Sequence, residues 1–257
     1  MLLAELIGGA VADARARAVD VPLDDVAAAA EQAPAALDAL AALAPASQVK
    51  IIAEVKRASP SRGRLADIPD PAALASLYED GGASAISVLT EQRRFLGSLD
   101  DLRSVRQAVG IPVLRKDFIA EPYQVYEARA AGADIVLLIV AALDQQTLTS
   151  LHALTTRLGM AALVETHSAD EVSRALDAGA SLVGVNARDL DTFELDRDLF
   201  GTLADRIPSG VTRIAESAVL GPSDVAHYRE AGADVVLVGE ALVTGDPTAR
   251  LAEFLSV

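Results

Sequence analysis

The chain of 257 residues contains no cysteine and no tryptophan. That excludes disulfides, a thiolate nucleophile and Cys-based metal sites. The three histidines, His152, His167 and His227, are far apart and show no ligand spacing, so no metal is expected. His167 closely follows Glu165 and is expected on a loop surface. No nucleophile elbow supports a Ser–His–Asp arrangement. No apolar run approaches the ~18–20 residues of a membrane span. The N-terminus, MLLAELIGG, has an early glutamate and no basic region, so it reads as a mature helix rather than a signal peptide. A cytoplasmic protein without a membrane partner is expected. The net charge of −15 excludes nucleic acid as the main partner. Lysine is also scarce: Lys50, Lys56 and Lys116 stand against 19 arginines. Arginine stays charged, whereas a lysine can give up its proton.

What is present is a repeat. Residues 1–48 are Ala-rich and helical in pattern, with new pieces near Pro22 and Pro34; they form an N-terminal extension to a single domain spanning 1–257. From residue 49 the pattern changes. Gly82-Ala83-Ser84, Gly132-Ala133-Asp134, Gly179-Ala180-Ser181 and Gly232-Ala233-Asp234 each follow an amphipathic stretch and precede an apolar run. Glycine is the expected residue just past a helix end. The ~50-residue period is too long for one βα unit of about 30 residues. Each gap holds another short apolar run: 111–116, 160–165 and 211–216. With 51–56 first, eight buried strands alternate with helices, which predicts an α/β fold of the (β/α)8 TIM-barrel type.

In such a barrel the functional residues stand at the C-terminal ends of the strands. Strand 51–56 ends in Glu54 and Lys56, two apart and therefore on one face. The other polar ends are Lys116, Glu165, Asn186 with Arg188 two further on, and Glu216-Ser217. Gly239-Glu240 opens a short helix after the last strand, where backbone N–H groups suit a phosphate; Glu240 would contribute only its backbone. Arg57, Arg62, Arg64, Arg93, Arg94 and Arg115 are expected to crowd the mouth and attract an anion. Phe95 and Phe118 could flank an aromatic ring.

Glu54-Val55-Lys56-Arg57-Ala58-Ser59-Pro60-Ser61, Leu114-Arg115-Lys116-Asp117-Phe118, Leu163-Val164-Glu165-Thr166, Gly184-Val185-Asn186-Ala187-Arg188-Asp189-Leu190 and Ala215-Glu216-Ser217 resemble indole-3-glycerol-phosphate synthase over nearly the whole chain. The resemblance implies ring closure, decarboxylation and dehydration of 1-(2-carboxyphenylamino)-1-deoxyribulose 5-phosphate in tryptophan biosynthesis, without a cofactor. It implies Lys116 as general acid and Glu165 as base. Lys56 would hold the substrate carboxylate or phosphate or protonate the leaving hydroxyl. Glu54 would position Lys56 or act as a second base. Asn186 would hold a hydroxyl or carboxylate, supported by Arg188 and Glu216. Ser59 would bind the anthranilate carboxylate, Ser217 and Gly239 the phosphate. Phe95, Phe118 and Leu137 would wall the ring. A monomer acting on a small phosphorylated anion is expected. The family usually has glycine where this chain has Ala218, a strained choice if that backbone needs positive φ. Phosphoribosylanthranilate isomerase is the enzyme alternative, but that family uses a cysteine; a non-catalytic phosphate-binding barrel is the alternative of another class.

Overall fold

The computed structural model describes residues 2–257. Strand β1 (Lys50–Val55) is followed by a small hairpin, β2 (Ala58–Ser59) and β3 (Gly63–Arg64). The remaining strands are β4 (Ala85–Leu89), β5 (Val113–Lys116), β6 (Ile135–Ile139), β7 (Ala161–Thr166), β8 (Leu182–Asn186), β9 (Thr212–Glu216) and β10 (Val235–Val238). All except β2 and β3 pair in parallel, and β10 closes on β1, giving an eight-stranded barrel. Helices run back between the strands, so this is a (β/α)8 barrel.

Local chemistry explains the punctuation. Asp70, Ser98, Asp144 and Ser168 each accept a backbone N–H in the first turn of the helix they precede. Proline occupies the first turn at Pro71, Pro122, Pro222 and Pro247, where its missing N–H costs nothing. The repeat glycines Gly82, Gly132, Gly179 and Gly232 all end helices with φ between +90° and +95°, which explains why the repeat is written in glycine.

The barrel interior is apolar below and charged above. Ile52, Leu114, Leu163 and Ile214 point inward from alternate strands, between inward residues of the other four that include Ala85, Ile135, Leu182 and Val235. Two residues further along each of those first four strands stand Glu54, Lys116, Glu165 and Glu216. Strand alternation therefore places one ionisable group from each in a ring above the core.

The N-terminal extension comprises α1 (Leu2–Asp20), α2 (Leu23–Gln32) and α3 (Ala39–Ala42). Pro34 does not start a helix: α2 ends at Gln32 and the chain continues extended, as expected for residues around a proline. Leu6 of α1 reaches the cavity at the C-terminal mouth. At the opposite end, Leu37 donates its N–H to Asp134, and Ala39 and Leu43 join the interior apolar cluster, closing the base. Among the described residues, no helix is long and apolar enough to cross a membrane.

Candidate active site

A cavity of about 230 Å³ opens at the C-terminal mouth. Glu54, Lys56, Ser59, Phe95, Lys116, Phe118, Leu137, Glu165, Asn186, Arg188, Glu216, Ser217, Gly239 and Glu240 all line it. Residues separated by up to 186 positions in sequence thus share one wall, because most of them lie at or just past a strand end.

Lys116 is the centre of the site. Its Nζ lies 3.0 Å from Glu165 Oε2 and 2.8 Å from Glu216 Oε2. Glu165 Oε1 accepts from Asn186 Nδ2 at 3.2 Å. Asn186 Oδ1 in turn accepts from Ser217 Oγ at 2.7 Å and from the Arg188 N–H at 3.0 Å, which fixes its amide orientation. Across the barrel Lys56 Nζ sits 2.7 Å from Glu54 Oε1, while Ser87 Oγ donates to Glu54 Oε2 at 3.2 Å. A side chain at Gly239 would run into Glu54 Oε1 and lie 2.9 Å from Lys56 Nζ, so glycine lets the backbone after β10 approach this ion pair.

Burial and neighbours divide the protons unequally. Burial alone would strip the charge from Lys116, but Glu165, Glu216 and Glu54 outweigh it and hold the ammonium well above the ordinary lysine range. Burial also acts to raise Glu165, yet Lys116 and His167 beside it, with hydrogen bonds from Lys116 and Asn186, lower it to about 2. Glu216 goes the other way: burial, reinforced by the charge on Glu165, pushes it up to about 7 despite Lys116. In the resting site the trio is therefore a lysine held protonated, a glutamate held ionised and a carboxyl raised toward neutrality.

The walls differ in character. The rings of Phe95 and Phe118 stand 6.1 Å apart and tilted by 46°, and Leu137, Ile139 and Leu237 continue an apolar side. Glu91, itself buried, accepts the backbone N–H groups of Arg93, Arg94 and Phe95 and so holds the loop that presents Phe95. Opposite, Arg188 is lowered by its burial, with Glu240 countering part of that effect. Arg62 reaches Glu240 at 3.2 Å across the mouth.

Two expectations need correction. The arginines do not form a basic mouth; of the six, only Arg62 lines the cavity. Arg57 is taken by Asp101 and the Ile68 carbonyl, Arg64 by Asp67, Arg93 by Asp13 and Arg94 by Glu5. Arg115 is fully buried on the outer face of β5, paired with Asp117 and Glu127. Alternation signals this, since Arg115 must face away from Lys116. The second correction is His167, which is no surface residue: its side chain is 15% exposed and folds back to within 3.5 Å of Glu165. Leu6, Phe193, Leu195 and Arg197 also line the cavity without any local sequence signal, and so does Leu190, the last residue of the 184–190 motif.

The Ser217-Ala218 turn has positive φ at both residues, +70° and +57°. The conformation that favours glycine at position 218 is thus present, and alanine adopts it at a cost of about 1–2 kcal/mol.

Comparison with known proteins gives a consistent picture. A family model described as indole-3-glycerol phosphate synthase matches residues 3–254. A protein of that name from Leifsonia xyli subsp. xyli is 71% identical over 257 residues, covering 100% of this chain and 98% of the relative. One of the same name from Mycolicibacterium vanbaalenii is 60% identical over 256 residues, covering 99% of this chain and 94% of the relative. Among solved structures, thiamine phosphate pyrophosphorylase from Pyrococcus furiosus superposes with a TM-score of 0.60 at 13% identity. That match covers 80% of this chain and 93% of the other, and shows shared barrel architecture alone.

Proposed function

Because this chain belongs to the indole-3-glycerol phosphate synthase family, we propose that its cavity closes the indole ring with Lys116 as the acid and Glu165 as the base. Family membership makes it a carboxy-lyase acting on a phosphorylated substrate. The substrate we assign is 1-(2-carboxyphenylamino)-1-deoxyribulose 5-phosphate. The observation that carries this reading is the bridge from Lys116 to two buried carboxylates, Glu165 and Glu216.

The chemistry follows from charge. Attack of the ring carbon bearing the carboxylate on the ketone generates an alkoxide and leaves positive charge on the anilino nitrogen. Lys116 remains protonated at neutral pH, and an alkoxide is basic enough to take its proton. Glu165, anionic in the same site, faces the positive charge and then accepts the methylene proton during dehydration. Loss of CO2 restores aromaticity between those two steps. Lys56 protonates the departing hydroxyl or holds an anionic end of the substrate, and Glu54 fixes it at 2.7 Å. Asn186, locked by Ser217 and Arg188, orients Glu165 and meets a substrate hydroxyl. Ser59 and Arg188 face the carboxylate; Ser217 and the backbone at Gly239 and Glu240 face the phosphate. Phe95, Phe118 and Leu137 hold the ring, excluding water that would weaken every charge interaction.

A monomer is the working unit we assign; sedimentation in solution checks this. A cytoplasmic location is the one we assign. The decisive assay mixes purified protein with the carboxyphenylamino substrate and follows indole fluorescence. Indole formation supports the reading. Substrate binding without indole formation would instead make this a phosphate-binding barrel.

A further inference from the structure

Among the described residues, four other than glycine have positive φ: Leu96, Phe193, Ser217 and Ala218. All four lie in loops at the C-terminal mouth, after β4, β8 and β9. Only Ser217 and Ala218 stand in succession, and both line the cavity. Left-handed backbone is unfavourable for any residue with a side chain, so something outside the turn must hold it. The helix Pro222–Glu230 does so at both ends of the turn. Tyr228 donates its hydroxyl to the Ser217 carbonyl at 3.2 Å. One helical turn earlier on the same face, Asp224 Oδ2 accepts the Leu220 and Gly221 N–H groups at 2.7 and 3.1 Å. Its other oxygen pairs with Arg197 from the loop after β8.

The direction of the Tyr228 bond matters. Tyr228 is buried in the apolar layer between the barrel and its helices and takes no part in the cavity wall. Phe200 packs edge-on against its ring at 5.8 Å. Burial pushes the phenol up to about 12, so it donates throughout the neutral range. The Ser217 carbonyl therefore points outward, away from the cavity. In a planar trans peptide the C=O and the following N–H point in opposite directions. Fixing the carbonyl outward aims the Ala218 N–H into the cavity, toward the place assigned to the phosphate. Turning this peptide over would carry φ of Ala218 out of the left-handed region. That relieves the alanine and withdraws the N–H. Glycine adopts both signs of φ and has no such preference. The Tyr228 hydroxyl and the Ala218 methyl group thus drive this peptide in opposite directions.

Resting on the phosphate contact proposed above, we propose that Tyr228 is a positioning residue for the phosphate group. It holds the Ser217–Ala218 peptide in its binding orientation against the strain that alanine at position 218 introduces. Asp224 fixes the far end of the same turn, so the helix behind the turn sets its shape without touching the ligand.

The test is steady-state kinetics and calorimetric titration of inorganic phosphate on the full chain carrying Tyr228→Phe, Ala218→Gly or both. Tyr228→Phe should raise KM about three- to tenfold, the worth of one hydrogen bond, because a smaller fraction of sites is competent to bind. Inorganic phosphate should bind more weakly by the same factor. kcat should hold, since the Ser217–Asn186 hydrogen bond that orients the proposed base stays in place. In the Ala218→Gly background, losing the hydroxyl should cost clearly less, in KM and in phosphate affinity alike. Unchanged KM and phosphate affinity in Tyr228→Phe would overturn the proposal. So would equal losses in the two backgrounds, or a fall in kcat at constant KM. Should Tyr228→Phe fail to fold, Ala218→Gly alone decides: it should tighten phosphate, and unchanged affinity would contradict the proposal. An inactive wild type would instead remove the function proposed above and leave the phosphate titrations to judge Tyr228.

Discussion

Gly184 and Glu216 share one volume. A methyl group on Gly184 would overlap Glu216 Oε1 and stand 3.2 Å from Leu163 Cδ1. The missing side chain on β8 is what lets the carboxylate of β9 lie inside the barrel and reach Lys116 at 2.8 Å. Gly184→Ala should push Glu216 aside and free one of the two restraints on Lys116. We expect kcat to fall about a hundredfold, as for misplacement by roughly an ångström, in a chain that still folds. Unchanged kcat would show that Glu216 does not hold the acid in place.

Glu216 also sets a pH dependence of stability. Its folded value of about 7 lies above the ordinary 4.5, so between those values the folded chain keeps a proton the unfolded chain has lost. Its contribution is fully present below the ordinary value and declines as pH rises through about 7. The slope is up to ~1.4 kcal/mol per pH unit. Glu165 acts oppositely: lowered to about 2, it supports folding above its ordinary value and loses that support as pH falls toward about 2. Urea midpoints measured from pH 4.5 to about 7 should carry a declining contribution in the wild type that is absent in Glu216→Gln, whose midpoints fall less steeply with rising pH. Parallel curves would mean that Glu216 titrates normally.

Ala218 carries a cost its backbone reveals. With φ at +57°, the methyl group is strained by about 1–2 kcal/mol, while glycine would lose about 0.4–1 kcal/mol through its freer unfolded chain. Ala218→Gly should therefore be neutral to slightly stabilising, by at most ~1.5 kcal/mol, and should lower KM for the phosphorylated substrate. A clear loss of thermal stability would show that the turn relies on the methyl group.

Arg115 is the site's buried support. It bonds Asp117, Glu127, Thr90 and the Gln124 carbonyl while 1% of its side chain is exposed. Glu127 passes the chain of charge on to Arg17 of α1. Arg115→Met leaves two buried carboxylates short of a partner and should cost about 3–5 kcal/mol, read as a lowered urea midpoint. A midpoint within error of the wild type would contradict this.

The barrel and its charged ring were legible in the sequence because both follow strict periodicities. Helix-end glycines recur about every 50 residues, and alternation along a strand ties Lys116 to Leu114 and Glu165 to Leu163. Side chains at strand ends inherit their direction from the strand. The loop residues were not legible for the same reason. Arg93 and Arg94 find Asp13 and Glu5, partners 80 and 89 positions away, and nothing local announces that choice. His167 turns inward because Glu171 captures its N–H and its ring, a contact between a loop and the next helix that strand periodicity does not encode. The hairpin of β2 and β3 is likewise too short to leave a pattern.

Among all these measurements, single-turnover indole formation by Lys116→Met is the most direct. Loss of the ammonium between Glu165 and Glu216 should slow the chemical step by ~10²–10⁴-fold while substrate still binds. Indole appearing at the wild-type rate would mean that the proton comes from elsewhere.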